Sequence, residues 1–295
     1  LELTKTFAET RRLVDGRIGL VPTMGGFHEG HLSLMRRLRE RCDTLVVSLF
    51  VNPTQFERED DLETYPRDLE GDAGLAESVG VDVLFVPDVG EVYPGGSSSL
   101  VEVPGVSQWM EGRQRPGHFS GVATVVTKLF AGLRPDVAIF GRKDAQQLAV
   151  IRTLVRDLRF PVEILDGPLV RDPDGLALSS RNLRLAPADR QMALSLSRGL
   201  FEAAALIEAG ERSAEVLERS VSRSASQLIV EYVTLADLES MVPVDTLREP
   251  AVLAAAVRVG TVRLIDNIII EYHGRDPVPD RGLILGDQGR LVTLP

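Results

Sequence analysis

The sequence is poor in two reactive side chains: among 295 residues, 33 of them basic, there is one cysteine, Cys42, and there are three lysines, Lys5, Lys128 and Lys143. A single cysteine excludes an internal disulfide, and Cys42 falls inside an amphipathic pattern that suits a buried, inert thiol. Positive charge is also short. The formal charge of −10 argues against the broad basic surface that nucleic acid or an anionic membrane requires, so an anionic ligand must be held by local groups. No apolar run reaches the roughly 18 residues of a membrane-spanning helix. Leu1 to Gly16 lacks the charged start, apolar middle and small-residue cleavage site of a signal peptide. The expectation is a soluble globular chain of the cytoplasm. Neither the GxxxxGK[ST] phosphate loop nor the HExxH zinc spacing occurs, and there is no internal repeat.

What is present is apolar material enough for a large core, 44% of the residues, and two domains are expected. Up to about residue 170, short β-rich runs alternate with helical ones, as in a parallel sheet covered by helices on both faces. Strands are expected at 18–24, 44–51, 81–87, 136–141 and 162–166, apolar enough to be buried on both sides. Helical patterns lie at 30–41, 67–79, 121–133 and 144–157, with Pro66 suited to a first turn and Gly80 to a terminus. After Arg171 come a DPDG turn, an LSSRN loop, Ala-rich helices at 187–209 and 213–223, and three β-rich runs starting at Gln227, Pro250 and Thr261. The fold class expected is α/β. A Rossmann-like, doubly wound parallel sheet spans 1–171, a smaller α+β lid domain spans 172–274, and a tail with a short hairpin around Asp287 to Gly289 spans 275–295.

Two of the four histidines, His28 and His31, stand three apart in IGLVPTMGGFHEGHLSLMRRL, Ile18 to Leu38. In a doubly wound sheet, ligands sit beyond the carboxyl ends of the strands. Gly25 and Gly26 follow the first expected strand, where a tight turn must lead into a helix beginning near Glu29 or Gly30. The N–H groups and dipole of such a helix start make an anion site, and residues three apart can face one ligand. Two imidazoles there can donate to phosphate oxygens. A cap or a packed side chain is the plainer reading of either histidine, and no third ligand nearby supports a metal site.

Other blocks read similarly. GRKDAQQL follows a strand, Asp144 and Gln147 fit a capping box, and Lys143 beside that helix start suits a phosphate point contact. FVNPTQF offers the amides of Asn52 and Gln55, which both donate and accept, although a Pro-containing turn is the alternative. LSSRN offers two hydroxyls and a guanidinium in a loop, or an ordinary turn with a helix cap. RPGHFSG suggests a loop before a helix capped by Ser120, leaving Arg115 and His118 as ligands or as structural groups.

PTMGGFHEGH resembles the signature of the HxGH nucleotidyl transferases. With FVNPTQF (50–56), DLETYPR (61–67), RPGHFSGVATVVTKLF (115–130), GRKDAQQL (141–148) and LSSRN (178–182) in order, the chain resembles the pantothenate synthetase family over roughly residues 3–272. The resemblance implies ATP bound by its α-phosphate near His28 and His31, with Met24, Gly25, Gly26, Phe27, Glu29 and Gly30 around it. It adds Gly141, Arg142, Lys143 and Asp144 to the nucleotide site, places Val170 near the adenine, and closes Leu178, Ser179, Ser180 and Arg181 over the phosphates. It gives Gln55 and Gln147 to pantoate, with Asn52, Pro22 and Thr23 close by, and puts Asp72 within reach of magnesium. For Tyr65 and Asp72 a plain structural or solvated role is the alternative.

The activity implied is ATP-dependent condensation of pantoate with β-alanine through a pantoyl adenylate, by a homodimer using Mg2+, with no nucleic-acid or membrane partner. His31, His28, Lys143 and Arg181 are its implied catalytic groups. Two positions depart from the family: Arg142 stands where Glu is common and Ala145 where Tyr is frequent. The alternatives are another HxGH nucleotidyl transferase, which keeps the nucleotide in its product, and a non-catalytic nucleotide sensor, which releases no pyrophosphate. An aminoacyl-tRNA synthetase is opposed by the acidic balance.

Overall fold

A computed structural model describes residues 1–56, 62–96, 98–286 and 290–294. Contacts divide the chain into two units. The first comprises Leu1–Ser107, Arg115–Gly141 and Val150–Gly167; the second comprises Gln108–Gln114, Arg142–Ala149 and Pro168–Pro295. A single boundary at Arg171 therefore misses two short segments. Sequence texture records local propensity, whereas these segments join the second unit through remote partners: Glu111 binds Tyr232 and Arg263, and Arg142 binds Glu271 and Asp280.

The first unit is built on six parallel strands, β1 (Glu2–Thr4), β2 (Ile18–Thr23), β3 (Thr44–Leu49), β4 (Val83–Phe85), β5 (Val137–Gly141) and β6 (Glu163–Gly167), in the order β1-β4-β3-β2-β5-β6. All five expected strands are present. The additional β1, three residues long, is too short to leave a periodic signal. Strand β3 is buried on both faces from Thr44 to Ser48, as a central parallel strand must be. The helix Glu29–Arg39 turns Leu32, Met35 and Leu38, spaced by three, onto Val21, Leu45 and Ile139. Strand order reverses between β2 and β5, so their carboxyl ends flank the switch point where such sheets bind ligands.

Two helix starts differ from expectation. Pro66 precedes its helix, which runs Leu69–Ser78 and is capped by Asp68 accepting from the Gly71 N–H at 3.0 Å. Ser120 lies within the helix His118–Leu133, whose cap is the left-handed Gly117.

The second unit carries a four-stranded antiparallel sheet in the order β11-β10-β9-β8, made of β8 (Ile229–Asp237), β9 (Ala251–Val259), β10 (Val262–His273) and β11 (Asp276–Asp280). Helices Pro187–Glu208 and Ala214–Ser224 bury Leu200, Ile207, Leu217 and Val221 with Leu253, Val257 and Ile268 of the sheet. A further small sheet joins β7 (Val170–Arg171), β12 (Leu283–Leu285) and β13 (Leu291–Thr293). The segment expected as a tail is thus largely paired strand: β11 pairs with β10, and β12 with β7 and β13. The turn expected at Asp287–Gly289 lies outside the described residues.

Arg171 has no exposed surface. Its guanidinium makes bidentate bonds of 2.7 and 3.0 Å to Asp266 and donates to the carbonyls of Arg281, Gly175 and Asn267 at 2.6, 3.1 and 3.3 Å. No helix among the described residues is long and apolar enough to cross a membrane.

Candidate active site

The segment after β2 is shaped by two glycines in the left-handed region, Gly25 at φ +90 and Gly26 at φ +66. A Cβ on Gly25 would also lie 3.0 Å from a carboxylate oxygen of Asp72. The helix begins at Glu29, with His28 as its extended N-cap. His28 Nδ1 accepts from the Gly30 N–H at 3.2 Å, and His31 Nδ1 accepts from the His28 N–H at 3.4 Å, a reciprocal capping box made by two imidazoles. The plainer reading, histidine as cap, thus describes both Nδ1 atoms. It has a chemical consequence. A neutral imidazole that accepts at Nδ1 carries its proton on Nε2, so both rings are fixed as Nε2–H donors with centroids 4.2 Å apart. Glu29 is ion-paired with Arg36.

The amides of Gly26 and Phe27 serve a different partner from the anion expected at this turn. They donate to the two oxygens of Asp72 at 2.9 and 2.6 Å. Asp72 is 3% exposed, so the solvated helix-surface reading of this residue is wrong. Burial pushes its carboxyl upward, opposed by the two backbone bonds.

Asn52 and Gln55 follow β3 in a 3-10 turn, Pro53–Gln55, capped by Asn52. The Asn52 amide is fully engaged inside the protein. Its Nδ2 donates to Gln55 Oε1 and the Gly121 carbonyl, and its Oδ1 accepts from Thr54 N–H, Thr54 O–H and Tyr93 O–H. Asn52 is 1% exposed and holds the Gln55 side chain through its Oε1. The Gln55 Nε2 points to Met24 Sδ at 3.1 Å. Its carbonyl receives Arg115 Nη2 at 3.3 Å and His118 Nδ1 at 2.9 Å, which fixes His118 in the Nδ1–H tautomer, opposite to the other two rings. Tyr65 packs edge-on against Phe56, and the Thr23 hydroxyl donates to the Ser48 carbonyl at 2.6 Å.

Sequence reasoning missed Tyr93 and Gly121. Tyr93 is buried under Asn52 and Thr54, with Lys128 Nζ 5.1 Å from its ring centre. No local pattern marks it. Gly121 sits inside a helix, where glycine costs about 1 kcal/mol against alanine and so signals a packing need. A Cβ there would meet the Thr54 carbonyl oxygen at 2.5 Å, a rigid backbone atom. Gly121→Ala is therefore expected to destabilise by about 1–3 kcal/mol in urea unfolding; a stabilised variant would show that propensity wins and that the close approach is absent.

In the second unit, Arg142–Asp144 form a 3-10 turn before the helix Ala145–Leu158. The turn hangs from Asn267, whose Nδ2 donates to the carbonyls of Arg142 and Lys143 at 3.1 and 2.9 Å. The expected capping box does not form. Asp144 is inside the helical run rather than extended before it, and its carboxylate faces Lys143 Nζ at 3.9 Å. Gln146, in the first turn of this helix, is tied to another segment: it accepts from Glu111 N–H and donates to the Trp109 carbonyl. Arg142, one of the two departures, pairs with Glu271 at 2.9 Å and Asp280 at 3.0 Å. Ser179 caps the 3-10 turn Ser180–Arg184, accepting from the Arg181 N–H, and Val170 is buried with its carbonyl bound by Leu178 N–H. The plain-turn reading of LSSRN is thus correct for Ser179, and Arg181 is presented from that turn.

Among the described residues no group of three or more His, Cys, Asp or Glu is placed to hold a metal, and both Asp72 oxygens are bonded to backbone N–H groups.

Residues 1–269 match the family described as Pantoate-beta-alanine ligase. The pantothenate synthetase of Heliobacterium modesticaldum is 52% identical over 274 residues, 92% of this chain and 97% of that one. The crystal structure of pantothenate synthetase from Thermus thermophilus matches with a TM-score of 0.87 at 43% identity, over 90% of this chain and 98% of that one. The pantoate-beta-alanine ligase of Francisella tularensis, complexed with beta-gamma ATP and beta-alanine, matches with a TM-score of 0.76 at 33% identity, over 91% and 97% of the two chains. With a switch-point turn carrying two paired imidazoles and matches of this extent, the chain belongs to the pantoate-beta-alanine ligase family.

Proposed function

We propose that the chain joins pantoate to β-alanine with ATP in two steps. A pantoate carboxylate oxygen attacks the α-phosphorus, the bond to the β-phosphate breaks, and pyrophosphate leaves. The β-alanine amine then attacks the acyl carbon of the adenylate, the carbon–oxygen bond to phosphate breaks, AMP leaves, and the nitrogen loses a proton to give the amide. The observation that carries this reading is the imidazole capping box that follows β2, which keeps the ring proton of both histidines on Nε2.

Charge builds on the α-phosphate oxygens as pyrophosphate departs, and positioned donors stabilise it without rearranging. The family resemblance assigns these donors to His28 and His31, with His31 as the principal one, and the positive charge to Lys143 and Arg181. Gln55, steadied by Asn52, His118 and Arg115, holds pantoate, and Gln147 assists. Pro22, Thr23 and Met24 lie on the segment leading to the turn. Magnesium bound to the triphosphate itself would neutralise phosphate charge, in keeping with the few protein ligands it usually takes. The family resemblance extends the reading to a homodimer, and the lone cysteine suits a reducing cytoplasm.

Product analysis with single omissions tests the reaction. ATP and pantoate alone are expected to release pyrophosphate up to about one equivalent per site, and β-alanine to convert this burst into continuous AMP and pantothenate formation. A product that retains the nucleotide would identify a transferase, and ATP binding without pyrophosphate release a sensor; either outcome overturns the proposal.

A further inference from the structure

The Asp72 carboxylate spans two consecutive amides. It lies on the helix Leu69–Ser78, 46 residues from Gly26 and 45 from Phe27, and takes one N–H on each oxygen. Those amides belong to the residues directly before His28. The Gly25 backbone, at φ +90, passes so close to Asp72 that a side chain there would be 3.0 Å from it. The carboxylate is 3% exposed, and charge-assisted bonds of this kind are roughly twice as strong as neutral ones.

We propose that Asp72 is a positioning residue for adenylate formation: it clamps the Gly26–Phe27 turn so that His28 enters the helix as its cap and both imidazoles keep their Nε2–H edges on the reacting phosphate. The inference rests on the reaction proposed above. It assigns Asp72 to the protein's own backbone rather than to a metal, and it explains why an acid is tolerated under a turn that serves an anion. The two amides that would otherwise bind the anion are already satisfied, so recognition passes to the imidazoles. Asparagine has nearly the shape of aspartate but offers one acceptor and one donor, so it must lose one of the two bonds and repel the other amide.

The test compares Asp72→Asn and Asp72→Ala with the parent chain. Amide hydrogen exchange of Gly26 and Phe27, which requires no turnover, is expected to accelerate by about 10-fold or more in Asp72→Ala. Asp72→Asn is expected to lower kcat for pyrophosphate release by about 10- to 100-fold, the scale of a small misplacement of reacting groups, with KM for pantoate nearly unchanged and no recovery at high Mg2+. Wild-type kcat in Asp72→Asn, activity restored by raising Mg2+, or rapid exchange of both amides in the parent chain would each overturn the clamp. Should the parent chain release no pyrophosphate at all, the reaction assignment fails while the exchange measurement still decides the clamp.

Discussion

His31→Ala is expected to bind pantoate normally and to release pyrophosphate about 10²- to 10⁴-fold more slowly, the range for one positioned proton-donating group. Both edges of the His31 ring contribute. Its Nδ1 accepts the His28 N–H, which keeps the proton on Nε2. Alanine removes that donor and also frees the amide it held. His31→Gln separates the two losses, because a glutamine at the third helical position can still accept the cap N–H. If chemistry depends on the imidazole, Gln is as slow as Ala; if the cap is all that matters, Gln recovers. Single-turnover adenylate formation measures this, and a near-normal yield in His31→Ala would remove the residue from the mechanism.

The second large effect is on stability. Arg171→Met is expected to destabilise by about 3–5 kcal/mol, the cost of stripping one partner from a buried ion pair. Asp266 would stay buried without its bidentate guanidinium, and the carbonyls of Gly175, Arg281 and Asn267 would lose their donors together. Asp266→Asn, which keeps an acceptor, should cost less. Because the neighbouring Asn267 carries the turn bearing Lys143, loss of activity is expected before global unfolding in Arg171→Met. Urea unfolding followed alongside pyrophosphate release checks both statements; equal midpoints for Arg171→Met and the parent chain would refute the first.

The parts of the fold that were legible in the sequence are those fixed by short-range chemistry. The apolar run TLVVSLFV contains β3, the Gly25-Gly26 pair is the left-handed turn, and the helix starts at Glu29 as its spacing suggests. Illegible features depend on partners distant in the chain. Asp72 reads as a surface acid until the turn arrives beside it. Asn52 reads as an open pair of amide groups until Tyr93 and Gly121 bond it. The Asp144–Gln147 box fits a template, yet the helix is entered through a 3-10 turn supported by Asn267. Local patterns thus located the segments, while tertiary contacts decided which atoms of each residue remain to meet a ligand.

Glu111 lends the architecture a temporal dimension. Its carboxylate is closed by a bidentate bond to Arg263, 152 residues later in the chain, and by the Tyr232 hydroxyl. At about 5–20 residues per second on the ribosome, the acid is synthesised roughly 8–30 s before its guanidinium. Until then the carboxylate lacks its bidentate guanidinium, and burying it would be costly, so Gln108–Gln114 is expected to take its place in the second unit only after Arg263 has been made.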